Sequence, residues 1–395
     1  MSRQSEIELF EATSDRLRVL ALEPHLSLSH RVFLEGYQRY SRHEITVWSL
    51  PARAWKWRMR ASAYHYAERA RALPANSRPH CVLASDYLNV AEWQAFTRPL
   101  LDRTPVVLYF HENQATYPLA DHAPTDTHFG WINLSSARAA DAVLFNSNHH
   151  REDFLAAVRA AVRSMPMPVP ERLIDELEEG SRVFPVGFDF APHDRVRQQA
   201  GADGDRTSRA PPTILWNHRW EFDKAPEQFV DALIRLKQRG RRFRLILCGG
   251  RGAEVHPAAT RARQELREEI VLDRFFEDQD DYLKALAQAD IVASTARHEF
   301  FGVSVAEAIY MGCLPILPWA LSYPELLPPG LHNTFLYDPT SPFDQALEGF
   351  LATIPTGHEE ELHAFISRYD WRRLAPQLDA LLLETVVRGN PNAGC

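Results

Sequence analysis

Ser294-Thr-Ala-Arg-His-Glu-Phe-Phe-Gly-Val-Ser-Val-Ala-Glu-Ala-Ile309 continues the apolar run that starts at Ile291. Read in order, the residues give a strand over Ile291–Ser294, a short polar loop, a glycine, and a helix over Val303–Met311. A helix start offers unpaired N–H groups and the positive end of the peptide dipoles, which suits a diphosphate. Gly302 lets the backbone come close to a ligand with no side chain between, and Val303 opens the helix beside it. Glu299 in the loop and Glu307 in the helix form the spacing E-x7-E. Carboxylates flanking a diphosphate can accept sugar hydroxyls, Glu299 from a hexose ring and Glu307 from a ribose. The competing reading is a helix start with incidental acids, because Glu is common in first turns.

Working outward, the second half of the chain repeats this strand-to-helix grammar. Thr213–Asn217, Phe243–Cys248, Ile270–Phe275 and Leu314–Leu317 read as further strands. Ala225–Arg239, Ala258–Glu269 and Asp280–Gln288 read as helices. At the end of the first of these strands stands Leu215-Trp-Asn-His-Arg-Trp-Glu-Phe-Asp-Lys224. Arg219 and Lys224 there can neutralise a leaving diphosphate, the guanidinium through two oxygens at once. The alternative is a solvated surface pair.

The first half follows the same pattern. Leu17–Leu22, Ile45–Ser49, Cys81–Ala84, Val106–Phe110 and Ala142–Phe145 are strand-like. Ser29–Arg39, Ala61–Ala72, Val90–Leu101, Trp131–Ala140 and Arg151–Ser164 are helical. Strands alternating with helices predict parallel sheets covered on both faces. The expected fold is therefore α/β, with two Rossmann-like doubly wound domains facing a central cleft. The polar stretch APHDRVRQQAGADGDRTSRAPP (191–212) has a linker's composition. It divides an N-terminal domain, 1–190, from a C-terminal domain, 213–395, whose amphipathic segment Glu359–Arg388 is expected to be helical and able to cross back. Ligands in such sheets bind beyond the carboxyl ends of the strands. Val107-Leu-Tyr-Phe-His-Glu-Asn-Gln114 ends one such strand. His111 there is a hydrogen-bond donor or proton carrier, or else a buried structural histidine. Asn113, together with Asn146 and Ser147 at the next strand end, would line the same wall.

Composition removes several classes. No apolar run in the 395 residues approaches the roughly 20 that span a bilayer. Met1–Phe10 is polar and acidic, unlike a secretory signal, so a cytoplasmic enzyme with no membrane partner is expected. Four scattered cysteines lack CxxC spacing, and His298-Glu299 lacks the second histidine of HExxH, so no metal is expected. A net charge of −8 does not advertise a nucleic-acid binder overall. One block departs from that balance: Arg53, Lys56, Arg58 and Arg60 alternate with Trp55 and Trp57. It is either a helix start with a solvated basic face and two core tryptophans, or a surface where cations meet phosphates and rings meet unstacked bases.

The E-x7-E pair and the Arg219/Lys224 pair resemble the donor site of retaining GT-B glycosyltransferases. Four blocks narrow the resemblance: Pro51–Ala63, Tyr109–Gln114, His218–Lys224 and Arg297–Val303. Together they resemble the tRNA-queuosine α-mannosyltransferase family. That resemblance implies mannose transfer from GDP-mannose, with no cofactor, to the cyclopentene-diol of queuosine at the wobble position of tRNA-Asp. It also implies guanine recognition near Phe276, largely by backbone groups. The implied reaction is retaining and metal-independent, with the incoming hydroxyl attacking from the leaving group's own face. No side chain is placed as a covalent nucleophile, and the two-carboxylate scheme of glycoside hydrolases does not apply to Glu299 and Glu307. One difference stands out: members of that family carry Gly-Gly where this chain has Ser27-Leu28-Ser29-His30. The open alternatives are the same chemistry on a lipid or polysaccharide, a sugar-nucleotide epimerase, and a non-catalytic tRNA-binding module.

Overall fold

Val106–Phe110 is buried at every position, as a central parallel strand covered on both faces must be. The same holds for Cys81–Ser85 and Leu314–Pro318. The computed structural model describes residues 16–118, 127–201, 211–249 and 256–389. Met1–Phe10 and much of the expected linker lie outside them. The chain divides into two units, Asp189–Arg368 forming one and the segments on either side forming the other.

Domain 1 begins with β1 (Arg18–Leu26), α1 (Leu28–Tyr40), β2 (Glu44–Pro51), α2 (Trp55–Arg71), β3 (Cys81–Ser85) and α3 (Val90–Leu101). It continues with β4 (Val106–Phe110), α4 (His128–Ala139), β5 (Ala142–Phe145), α5 (Asn148–Ser164), α6 (Arg172–Gly180) and β6 (Ser181–Val183). The sheet order is β2-β1-β3-β4-β5-β6, with every pairing parallel. Winding therefore reverses between β1 and β3.

Domain 2 runs through α7 (Ala191–Gly201), β7 (Thr213–Trp216), α8 (Pro226–Gln238), β8 (Arg244–Leu247), α9 (Pro257–Glu265) and β9 (Ile270–Asp273). Then come α10 (Gln279–Ala287), β10 (Ile291–Ala293), α11 (Val303–Tyr310), β11 (Leu314–Pro318) and α12 (His332–Phe335). The domain ends with β12 (Leu336–Tyr337), α13 (Phe343–Ala352) and α14 (Glu359–Ile366). Its order, β12-β11-β10-β7-β8-β9, is again parallel and reverses between β7 and β10.

The final helix, α15 (Trp371–Gly389), belongs to domain 1. Trp371 is fully buried there against Phe33 and Tyr37, and a Cβ on Gly36 or on Gly187 would overlap its indole. The backbone is fastened at the same place: Phe188 N–H donates to Tyr369 O at 2.8 Å, and Trp371 N–H to Phe188 O at 2.9 Å.

Three boundaries differ from the sequence reading. The stretch read as a linker from residue 191 opens as a helix, α7, whose Val196 is buried. The C-terminal domain closes at Arg368, and the helix after it, which the sequence reading allowed to cross back, groups with the first unit. The helix expected from Ala61 starts at Trp55, so the whole basic block except Arg53 is helical.

Candidate active site

Topology decides where domain 2 can hold a ligand. At the reversal between β7 and β10 the connections leave in opposite directions and open a crevice beyond the strand ends. The two segments flanking it are the ones the sequence singled out, His218–Lys224 after β7 and Ser294–Gly302 after β10. They are tied together. Lys224 Nζ lies 3.2 Å from Glu299 Oε2, 3.0 Å from Asp223 Oδ2 and 2.7 Å from the carbonyl oxygen of His298, to which it donates. Burial alone would lower the lysine's pKa; the carboxylates of Glu299 and Asp223 overcome this and hold it raised. Burial likewise opposes ionisation of Glu299, yet Lys224 and His218 bring that carboxyl down to about 2. His218, buried and beside Lys224, is pushed down to about 4 and is neutral. The cluster is thus a fixed array of charge, not a titrating one, near neutral pH.

Gly302 begins α11 with φ of +92°, in the left-handed region that a side chain resists. A Cβ there would also come within 3.1 Å of Leu326 and 3.3 Å of Tyr323. The glycine is required by backbone shape as well as by packing. Val303 follows it, half-buried. Arg219 is more than half exposed and pairs with Glu221 at 3.2 Å, within electrostatic reach of Lys224. One turn into α11, the Glu307 carboxylate lies 3.4 Å from Tyr282 Oη and 3.6 Å from His193 Nε2. Asn217 donates to Tyr282 Oη at 3.2 Å and to Ser304 O at 2.7 Å. Phe276 stands 6.1 Å from the Tyr282 ring and carries the Arg274 guanidinium on its face at 4.3 Å. Glu307 and Phe276 therefore share one neighbour, Tyr282. His193 and Tyr282 were not read from the sequence, since neither lies in a strand-end motif.

In domain 1 the reversal between β1 and β3 gathers a second polar set. Glu23, buried within β1, accepts from Ser85 Oγ at 3.1 Å and from His25 N–H at 2.8 Å. It also pairs with His30 Nδ1 at 2.8 Å. Burial works against a charge on His30, but Glu23 raises its pKa to about 9. His111 stacks on His30 with ring centroids 3.9 Å apart. Burial, then His30, depress His111 well below the ordinary histidine range, so it is a neutral imidazole over an imidazolium. Glu23, His30 and His111 approach one another within 4.8 Å, which is metal-ligand spacing. The rings are stacked at 21°, however, and imidazole lone pairs lie in the ring plane, so they do not converge on one ion. Beside them Tyr87 Oη and Gln114 Nε2 donate to Glu112 Oε1. Burial pushes the Asp86 carboxyl well above the ordinary range, with the charge of His30 working against it. Glu23 and His30 went unread in the sequence, although a glutamate within a largely apolar strand was a visible signal.

Three residues expected on the acceptor wall make hydrogen bonds within the strand ends, while Asn113 Nδ2 is buried with no partner. Asn113 Oδ1 accepts from Ala115 N–H at 2.9 Å and Thr116 N–H at 3.0 Å, an Asx turn. Asn146 donates to His111 O at 2.9 Å and meets His150 Nδ1 at 2.8 Å. Ser147 caps α5, accepting from His150 N–H at 3.0 Å. All three are buried at the strand ends. Similarly, no residue at Ser27-Leu28 has a positive φ, so this chain's turn needs no glycine.

The basic block forms the first turns of α2, entered through Ala54 at φ 52°. Trp57 is 69% exposed, so it is not a core tryptophan. Trp55 packs edge-on to Phe129 at 4.9 Å, with the Lys56 ammonium and the Arg60 guanidinium over that pair at 5.5 and 4.7 Å. Arg53, Lys56 and Arg60 are exposed, while half-buried Arg58 donates to Pro51 O at 3.3 Å. There is no acidic residue in this first turn. Cations at a helix N-terminus oppose the dipole, and an incoming anion relieves that opposition.

Two doubly wound parallel sheets, one carrying a cation-and-carboxylate set beside a glycine-started helix, define a glycosyltransferase of the GT-B type. Solved structures share the fold at low identity. Arabidopsis thaliana starch synthase IV, bound to ADP and acarbose, gives a TM-score of 0.66 at 11% identity, covering 94% of this chain and 100% of that one. HepE from Anabaena in complex with UDP gives 0.62 at 17% identity, covering 93% and 100%. Residues 205–351 match the family of glycosyl transferases group 1, and residues 18–188 match the tRNA-queuosine alpha-mannosyltransferase N-terminal family. The Drosophila melanogaster tRNA-queuosine alpha-mannosyltransferase is 34% identical over 322 residues, 80% of this chain and 83% of that protein. The chain belongs to the tRNA-queuosine alpha-mannosyltransferase family and is a glycosyltransferase. Among the described residues no helix is long and apolar enough to cross a membrane.

Proposed function

We propose that this enzyme moves mannose from GDP-mannose to the cyclopentene-diol of queuosine at the wobble position of tRNA-Asp, in the cytoplasm, with retention and without a metal. The observation that carries the donor half is the Lys224–Glu299 pair beside the Gly302 helix start. It supplies a fixed cation for the diphosphate and a carboxylate for the sugar hydroxyls within one hydrogen-bonded unit. As the bond from mannose C1 to the GDP oxygen breaks, charge grows on the diphosphate. Lys224, Arg219 and the N–H groups opening α11 stabilise that charge more than they stabilise the ground state. The acceptor hydroxyl bonds to C1 on the same face and passes its proton to the leaving diphosphate oxygen. Glu307 takes the ribose hydroxyls and the backbone near Phe276 the guanine.

On the acceptor side, exposed Arg53, Lys56, Trp57 and Arg60 at the start of α2 support binding of an anticodon loop. Neutral His111 suits hydrogen bonding to a hydroxyl. The experiment is transfer of labelled mannose from GDP-mannose to tRNA, with and without queuosine. Label on the queuosine-containing tRNA alone is the expected result. Label on a lipid or glycan instead, or none with any GDP-, UDP- or ADP-sugar, overturns the reading.

A further inference from the structure

His193 is almost completely buried, and neither ring nitrogen has a hydrogen-bond partner. Leaving a buried polar group unsatisfied is costly, so its persistence asks for an explanation. Its Nε2 points to within 3.6 Å of Glu307 Oε1, while the other carboxylate oxygen faces Tyr282 Oη. The ring is held in that direction by α7. Phe190 stacks on Tyr310 at 3.6 Å, and His193 meets both rings edge-on at 5.3 and 5.8 Å. Tyr310 Oη donates to Asp194 Oδ1 at 2.6 Å, and Arg195 at the far side of α7 pairs with Asp280 of α10 at 2.6 Å. The helix is thereby fastened to the two helices that carry Glu307 and Tyr282.

We propose that His193 is a positioning residue: it sets the orientation of the Glu307 carboxylate so that both oxygens accept the two ribose hydroxyls of the bound nucleotide. This rests on the reading of Glu307 given above. A carboxylate at 3.4–3.6 Å from two donors is loosely held. A diol bridging the carboxylate oxygens draws it into place, and such contacts commonly tighten only when ligand is bound. His193 thus acts through Glu307 and touches neither the sugar nor the diphosphate.

The test is calorimetry on the full chain with GDP and with 2′,3′-dideoxy-GDP, alongside steady-state transfer. His193→Phe keeps the aromatic shape and removes the ring nitrogen that faces Glu307; His193→Gln keeps a donor. We expect His193→Phe to weaken GDP about tenfold, the scale of one hydrogen bond to a charged group, and to leave dideoxy-GDP unchanged. KM for the donor should rise with kcat held, and His193→Gln should recover most of the affinity. His193→Leu gives the same reading if the aromatic variant does not fold. Equal losses for both nucleotides, or no loss, would overturn the proposal while leaving the ribose reading intact. If Glu307→Ala fails to distinguish GDP from dideoxy-GDP, the ribose reading itself falls and takes the proposal with it.

Discussion

Lys224 stands between two carboxylates, 3.0 Å from Asp223 and 3.2 Å from Glu299, so one buried ammonium serves both. The two ways of breaking this arrangement are therefore unequal. Lys224→Ala leaves two carboxylates facing each other without a cation and is expected to cost about 3–5 kcal/mol of stability. Glu299→Ala leaves the Lys224–Asp223 pair intact and should cost about 1–2 kcal/mol. Urea unfolding of the two variants checks the order. Equal losses would mean that Asp223 does not share the charge.

Arg219 is a surface side chain, and its pairing with Glu221 adds at most about 1 kcal/mol. Arg219→Ala should leave the melting temperature within a degree or two while transfer falls by roughly 10²–10³, the usual effect of losing one charge-stabilising donor. Turnover close to that of the parent enzyme would remove Arg219 from the diphosphate site.

The two glutamates should separate by ligand. Glu299→Ala is expected to impair transfer while leaving GDP affinity nearly intact, because its partner is the sugar. Glu307→Ala should weaken GDP and the sugar nucleotide alike. Calorimetry with GDP on each variant decides between them; abolished GDP binding in Glu299→Ala would exchange the two roles.

His30 supplies a pH signature. Its pKa is raised to about 9 by Glu23, against about 6.5 in the unfolded chain. A raised pKa contributes stability that is complete below pH 6.5 and is lost as pH climbs through 9. His30→Gln should therefore destabilise the protein at pH 6 and matter much less at pH 10. On the acid side, Glu299 behaves oppositely: its contribution is present above about 4.5 and lost as pH falls towards 2. Stability curves of the parent and His30→Gln from pH 5 to 10 would show convergence at high pH, and parallel curves would contradict the ion pair.

The basic turn of α2 predicts a salt dependence. Each phosphate contact removed should flatten the log–log slope of tRNA affinity against salt by roughly 0.7–0.9. Lys56→Ala with Arg60→Ala should show this, with GDP binding as a control. Trp57→Ala should instead lower affinity at all salt concentrations, by about 1–3 kcal/mol if a base stacks on it. An unchanged slope in the double variant would return these cations to scaffolding.

The strands were legible because parallel strands bury both faces: runs such as Val106–Phe110 leave no other reading. The candidate site of domain 2 was legible from topology, which places whatever follows β7 and β10 at one crevice. What escaped was polar chemistry serving local backbone. Asn113 and Ser147 sit at strand ends as catalytic residues do, yet one makes a turn and the other a cap. Helix α7 looked like linker because Arg195, Arg197 and the glutamines dominate its composition, while Val196 and His193 mark its inner side. The Glu23–His30 pair joins residues seven apart, one in a strand and the other in the helix after it, so no single periodicity spans both.

The pairing of Phe188 with Tyr369 and Trp371 has a consequence for how the protein is made. Domain 1 is interrupted: its sheet is written first, but Trp371, the side chain around which Gly36, Phe33 and Gly187 close, is translated after the whole of domain 2. Synthesis usually lets the N-terminal domain fold first. Here the inserted domain is complete while its host still lacks a helix. A chain ending before residue 369 would carry the whole inserted domain on a first domain that lacks Trp371 and its helix. Loss of the last helix is thus a lesion of the first domain, and the earliest-made half of this enzyme is the last to be finished.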